Sequence, residues 1–315
     1  MHKSNIILVS TAFIFVFFVG LLAIGQNYFK VTKTIAGVST EELPQIQLKT
    51  LPQRHEGSSD PQILAKAAYL IDVDSATPLF SKNENEVLPI ASTTKIATAL
   101  VVIENYSDKL NDIVAITPKM NNVEETRIGL LSGEKISVQN LLYGLLINSG
   151  NDAAYALGVY FGGLDKFVAE MNNKVWQIGL KDTQYYDPAG LDDRGHSNSR
   201  ELAILGAYAL RNKQFSEIVK IPEKTVYSVD LRYAHDLINS NRLVRPEEPL
   251  YLPYAIGVKT GFTYEAGHVL VSAAEKEGHR ILAVVLNTYK DTKPASAEES
   301  KKLLEWGFNN WTWTK

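Results

Sequence analysis

The sequence predicts an α/β (α+β) protein: one mixed, mainly antiparallel sheet flanked by helices, with a helical subdomain. Strand-like segments fall near both ends of residues 65–308, helix-period segments fill the middle, and no internal repeat divides the region. Strands supplied from both ends of a region point to one sheet closed by terminal segments rather than two independent folds. With 315 residues, 45% of them apolar, the chain has ample material for a core.

Taken in order, residues 6–24 contain no charged side chain. As a helix they would span about 28 Å, close to the hydrocarbon thickness of a bilayer. Residues 1–25 read as an uncleaved membrane anchor, the alternative being an export signal cut between Gly25 and Gln26. Lys3 precedes the segment and Lys30 and Lys33 follow it, so positive charge does not orient it. Residues 26–60 are polar, carry Pro44 and Pro52, and read as an extended tether with few core contacts. Residues 61–315 form the expected folded domain.

That domain opens with two strands, 65–74 and 77–82, around the polar turn Asp74-Ser75-Ala76. Pro89 and the hydroxyls of Ser92, Thr93 and Thr94 signal a helix start, and Ile96, Ala99, Leu100 and Ile103 supply its apolar face. Helices are expected over 138–147, 153–160, 164–178 and 199–210, where apolar residues recur at helical spacing. Strands return at 255–259, 268–274 and 280–288, the last two joined by Glu275-Lys276-Glu277-Gly278. Residues 296–308 close the domain as a helix with Leu303, Leu304 and Trp306 on its apolar side.

Composition removes several chemistries. A net charge of −3 without long basic runs gives no reason to expect a nucleic-acid partner. There is no cysteine, so disulfides, thiolate metal sites and cysteine nucleophiles are excluded. The six histidines show no zinc-ligand spacing, and neither Gly-x-Ser-x-Gly nor a phosphate-binding glycine loop occurs. No metal and no cofactor is expected.

One pair at the first helix start offers chemistry of another kind. Ser92 and Lys95 stand three residues apart, so a helical turn places the amine beside the hydroxyl. The free N–H groups of a helix start can stabilise an oxyanion, and its partial positive charge disfavours protonation of a nearby amine. Lysine acts as a base only when neutral, which calls for burial or a second cation. Ser132 and Lys135 have the same spacing, but Gly133 and charged neighbours put them in a turn. A Ser-x-x-Lys arises by chance about once in a chain of this length, so the pair alone is weak. Ser149-Gly150-Asn151 after an apolar helix and Lys259-Thr260-Gly261 at a strand end add to it. Taken singly, these residues read as a helix cap, a turn residue and a solvated strand end.

Together, Ser-x-x-Lys, Ser-x-Asn and Lys-Thr-Gly in this order resemble the penicillin-binding proteins and active-site serine β-lactamases. The flanks Leu88-Pro-Ile-Ala-Ser92, Asn148-Ser-Gly-Asn-Asp152, Asp187-Pro-Ala-Gly-Leu191 with His196, and Ile256-Gly-Val-Lys259 look like those of the D-alanyl-D-alanine carboxypeptidases, the low-molecular-mass penicillin-binding class. The resemblance covers residues 65–308 and implies a β-lactamase/transpeptidase-like fold. It implies a serine-type hydrolase that removes the terminal D-alanine from peptidoglycan stem peptides through an acyl-enzyme. By the same resemblance Ser92 is the nucleophile, Lys95 its base, Ser149 a proton relay and Asn151 the side chain that orients the substrate amide. Lys259 is the second cation that keeps Lys95 partly neutral and, with Thr260, meets the substrate carboxylate. Gly261 lets a peptide lie close along the strand edge, and the backbone N–H groups of Ser92 and Phe262 form the oxyanion hole. The Asp187–Leu191 loop and His196 are read as structural, and His268 as a strand residue.

Implied partners are the stem peptide, β-lactams as covalent inhibitors, and the cytoplasmic membrane through the N-terminal segment. The catalytic domain is expected outside that membrane, or secreted if the segment is cut. Three other readings stand beside this one. A D-Ala endopeptidase acting on cross-links would use the same residues. A class A-like β-lactamase needs Glu-x-x-Leu-Asn, and the nearest stretch, Glu247-Glu-Pro-Leu-Tyr251, has Tyr where Asn is required. A catalytically silent envelope-binding protein would be expected to lose Ser92, Lys95 or Lys259, and all three are present.

Overall fold

The computed structural model describes residues 51–288, 292 and 294–313. The expected membrane segment at 6–24 lies outside the described residues, as does most of the tether. Among the described residues no helix is long and apolar enough to cross a membrane.

The centre is a five-stranded sheet built from β1 (Ala65–Asp72), β2 (Pro78–Lys82), β3 (Ala255–Thr263), β4 (Gly267–Lys276) and β5 (His279–Thr288), in the order β3-β4-β5-β1-β2. Every pairing in it is antiparallel, so the mixed character expected from the sequence is absent. The reason is connectivity: β1–β2, β3–β4 and β4–β5 are hairpins, and antiparallel neighbours need only a short turn. Glu277 (φ 54°) and Gly278 (φ 80°) are both left-handed, as a two-residue hairpin turn requires. The two ends of the domain meet where β5 pairs with β1, from Ile281 opposite Asp72 to Thr288 opposite Ala65.

Both faces of the sheet are covered, which explains why β1 is apolar almost throughout rather than alternating. Its Ala67, Tyr69 and Ile71 join the core under the helical layer, while Ala65, Ala68 and Leu70 join a second core on the other face. The helical layer comprises α1 (Lys95–Asn105), α2 (Val138–Leu146), α3 (Asn151–Tyr160), α4 (Leu164–Ile178), α5 (Ser199–Arg211) and α6 (Lys213–Val219). The opposite face is covered by α7 (Ala295–Asn310). Each face is crossed closely at a glycine: a Cβ on Gly206 of α5 would stand 2.7 Å from Leu282, and one on Gly307 of α7 would stand 2.8 Å from Leu70.

The tether ends earlier than its expected boundary at residue 60. Pro52–Arg54 forms a strand antiparallel to Trp311–Trp313, the Trp306 indole donates to the Ser59 carbonyl at 2.8 Å, and Arg54 pairs with Asp60 at 2.8 Å. A three-residue strand has no periodicity of its own, so only its partner reveals it. The short hairpin of Glu223–Tyr227 with Ala234–Ile238 and the helix α6 also lie outside the elements expected from the sequence.

Candidate active site

Ser92 sits in a 3₁₀ turn, Ala91–Thr94, that runs directly into α1. The expected hydroxyl cap is not made: Ile90 precedes the turn, and the Thr93 hydroxyl donates back to the Ile90 carbonyl at 2.7 Å. The turn nevertheless does what the spacing requires, because Lys95, first residue of α1, donates to Ser92 Oγ at 2.7 Å.

Lys95 Nζ has two further partners, Asn151 Oδ1 at 2.7 Å and the Ala189 carbonyl at 2.8 Å. Both are acceptors only. An ammonium can donate to all three oxygens, but a neutral amine has two N–H bonds and one lone pair. Of the three partners only the serine hydroxyl can reverse its role, so deprotonation of Lys95 turns its lone pair onto Ser92 Oγ–H. The side chain is completely buried, and burial lowers its pKa from 10.5 to about 7, against the opposing pull of Asp187, Glu125 and Asp152.

Each acceptor is itself fixed. Asp187 accepts from the backbone of Ala189, Gly190 and Asp192 at 2.6, 2.7 and 2.8 Å, which shapes the loop that aims the Ala189 carbonyl. Thr98 Oγ1 ties the same loop to α1 through the Pro188 carbonyl at 2.6 Å. Asn151 donates its amide to the Glu124 carbonyl at 2.9 Å, and its backbone N–H to that of Thr126 at 2.8 Å. Its oxygen faces Lys95, so the structure gives Asn151 a positioning contact in addition to the substrate contact expected for it. Beside it, fully buried Asp152 accepts from the backbone of Ile128, Gly129 and Leu130 at 3.0, 2.9 and 3.1 Å.

Ser149 stands between α2 and α3 with φ 66° and lines a cleft of about 910 Å³ that also opens on Ser92. It caps nothing: α3 is capped by Gly150 without any side-chain bond. The opposite wall is β3, an edge strand of the sheet, with Thr260, Gly261 and Phe262 in the cleft. The Lys-Thr-Gly motif lies within this strand, which continues to Thr263, rather than at its end. An edge strand leaves one row of backbone groups free for an added peptide strand.

Lys259 is 1% exposed and donates to the Thr260 carbonyl at 2.9 Å, so it is no solvated strand end. Its amine is pushed well below its ordinary value by burial first and by the charge of Lys95 second. The expected dependence of Lys95 on a second cation is thereby revised: burial is the leading cause at both amines, and the repulsion between them acts on Lys259. Gly261 is also needed for a second reason, beyond the close approach of a peptide expected for it. A Cβ there would stand 2.9 Å from the Ser92 nitrogen and 2.8 Å from Val269, so the glycine lets the strand press against the nucleophile turn.

The structure brings Ser92, Lys95, Ser149, Asn151, Lys259, Thr260, Gly261 and Phe262 to one place. Ser132 and Lys135 are exposed and remote in role, with the Ser132 hydroxyl directed at Asn121. The cleft also holds Glu125, Ser240 and Arg242, which sequence reasoning missed, and His268, which it read only as a strand residue. Ser240 accepts from Thr260 Oγ1 at 2.6 Å, and the His268 ring lies tilted at 34° against Phe262 with centroids 4.6 Å apart. Glu125 and Ser240 sit in irregular segments and Arg242 in a three-residue 3₁₀ turn, all too short for periodicity to flag. Within the structural loop, His196 Nδ1 lies 2.7 Å from the Arg194 carbonyl.

Gly190 tests this scaffold. Its φ is +79°, and a Cβ would lie 2.0 Å from the Ala91 carbonyl oxygen. Gly190→Ala should therefore cost about 2 kcal/mol or more in chemical or thermal unfolding. It should also slow acylation of Ser92 by a fluorescent penicillin about ten-fold or more, through displacement of the Ala189 carbonyl.

Comparison with known proteins agrees with this geometry. Residues 54–290 match the family model described as D-alanyl-D-alanine carboxypeptidase. The chain is 33% identical over 253 residues to the D-alanyl-D-alanine carboxypeptidase DacF of Bacillus subtilis, a match covering 78% of this chain and 63% of that one. It is 32% identical over 253 residues to a D-alanyl-D-alanine endopeptidase of Pseudomonas aeruginosa, covering 78% and 79%. The structure of the Streptomyces K15 DD-transpeptidase superposes with a TM-score of 0.73 at 30% identity, covering 80% of this chain and all of that one. The chain belongs to the D-alanyl-D-alanine carboxypeptidase family.

Proposed function

We propose that this chain is a serine-type D-Ala-D-Ala carboxypeptidase that removes the terminal D-alanine from peptidoglycan stem peptides. The observation that carries the reading is the set of three contacts on Lys95, which leaves a buried amine only one partner, Ser92, able to give it a proton. Ser92 Oγ loses that proton to Lys95 as it attacks the carbonyl of the penultimate D-alanine. The backbone N–H groups of Ser92 and Phe262 receive the oxyanion, and Ser149 passes a proton to the departing amine. Water then hydrolyses the acyl-enzyme.

The leaving residue carries a free carboxylate, and the strand wall offers it Thr260 with Lys259 behind. Burial holds the Lys259 amine well below its ordinary value, and a substrate carboxylate beside it favours the ammonium form that would grip it. Arg242, at the rim and held by Glu248 at 2.5 Å, is the arginine placed to assist.

The endopeptidase reading shares every one of these residues, and a relative bearing that name makes it the second reading. The β-lactamase reading is weaker. In the segment nearest to the required pattern, Glu247 pairs with Arg245 at 2.7 Å and Glu248 with Arg242 at 2.5 Å, so neither is free to activate water. β-Lactams should acylate Ser92 and stay there.

Ser92→Ala should abolish both D-alanine release from a pentapeptide and covalent labelling by fluorescent penicillin, whereas Ser132→Ala should leave both intact. Labelling that persists without Ser92 would refute the assignment. Mass spectrometry of products from the same pentapeptide and from a cross-linked muropeptide separates carboxypeptidase from endopeptidase.

We further propose that residues 6–24 anchor the chain in the cytoplasmic membrane with the catalytic domain outside, where peptidoglycan is. A tether of about 25 to 35 residues with random-coil statistics reaches about 30 Å, enough to lift the cleft off the bilayer. Protease added to intact spheroplasts should remove the domain. Protection until lysis would place it on the other side.

A further inference from the structure

The cleft contains one charged side chain that the proposed reaction does not use. Glu125 lies on the loop wall, beside Thr126 and Ser149 and across from β3. Arg242, the other charged group lining the cleft, pairs with Glu248 and is assigned to the carboxylate end of the substrate. Among the described residues no cation pairs with Glu125.

Its backbone is held in an unusual way. Glu125 has φ 63°, a left-handed conformation that glycine or asparagine adopts more readily, yet the chain carries a glutamate there. The carbonyls on either side of it are both taken by Asn151: that of Glu124 by the side chain, that of Thr126 by the backbone. Asp152 secures the three residues from Ile128 onward. The same residues that place Lys95 thus fix the position of this carboxylate, whose charge also reaches the Lys95 amine.

Charge decides which part of a substrate meets it. The departing D-alanine bears a carboxylate, which is drawn to the strand wall and repelled by Glu125. The acyl portion of the peptide is what remains for the loop wall. We infer that Glu125 is a specificity residue that selects peptides carrying a free ammonium on the side chain preceding the D-Ala-D-Ala pair. The inference rests on the carboxypeptidase reading and assigns the acyl side of its cleft.

Two tripeptides that differ only in that charge test it: Nα-acetyl-L-lysyl-D-Ala-D-Ala and its Nα,Nε-diacetyl form. With the full chain at low ionic strength, kcat/KM should favour the free amine about three- to five-fold, the size expected of one accessible ion pair. Added salt should reduce the preference. Glu125→Gln should bring the ratio to about one, and Glu125→Asp should restore part of it. A ratio of about one in the unaltered chain, or one that Glu125→Gln leaves unchanged, overturns the inference. So does equal slowing of both peptides with accumulation of acyl-enzyme, which would make Glu125 a group acting on water. Protection of Ser92 from fluorescent penicillin by each peptide reads the same selectivity without turnover. If neither peptide is hydrolysed, the carboxypeptidase reading fails, and the protection ratio still decides the role of Glu125.

Discussion

The site depends on one constraint, a lysine amine removed from water and held by two oxygens that can only accept. Lys95 is fully buried, and Asn151 Oδ1 and the Ala189 carbonyl take two of its bonds. Burial makes the neutral amine accessible near pH 7, and the two acceptors decide where its lone pair points. Neither effect suffices alone. A neutral amine free to rotate would not favour Ser92, and a well-aimed ammonium would be no base.

Much of the surrounding structure serves that geometry. The Asp187 loop is wound around its own carboxylate and locked against the nucleophile turn at Gly190. The loop before α2 is secured by Asp152 and closed over Asn151. On the third side Gly261 lets β3 approach the Ser92 nitrogen, which brings an open strand edge to the reacting centre. These three supports come from distant parts of the chain, and the sheet with its two covered faces holds them in register. The carboxylates Asp187 and Asp152, needed to fix backbone, also raise the Lys95 amine, so burial works against part of its own scaffold.

How much of this could be read from the sequence follows from what each feature looks like locally. The long helices and central strands carry a clear period, and 164–178 has the same bounds in the sequence reading and in the structure. Three short motifs named the site because residue types with matching flanks recur in order along the chain. Features made by contact between distant segments were hidden. The strand Pro52–Arg54 exists only through Trp311–Trp313, the acceptor role of Ala189 is a backbone property, and the need for Gly261 arises from packing against a turn far away in sequence. A motif displays the charge of Lys259 but not the burial of Lys95, which is the leading cause of its lowered pKa. Glu125, Ser240 and Arg242 gave no signal, lying in segments whose shape is set by their neighbours.

The most direct test of the central claim is the pH dependence of the second-order rate constant for acylation of Ser92 by a penicillin, measured under conditions where the intact fold is verified at each pH. Because Lys95 must be neutral to accept the proton, the rate should climb as pH rises through about 7 and level off above it. A rate that stays flat across this range, or that climbs only near the ordinary lysine value of about 10, would contradict the account.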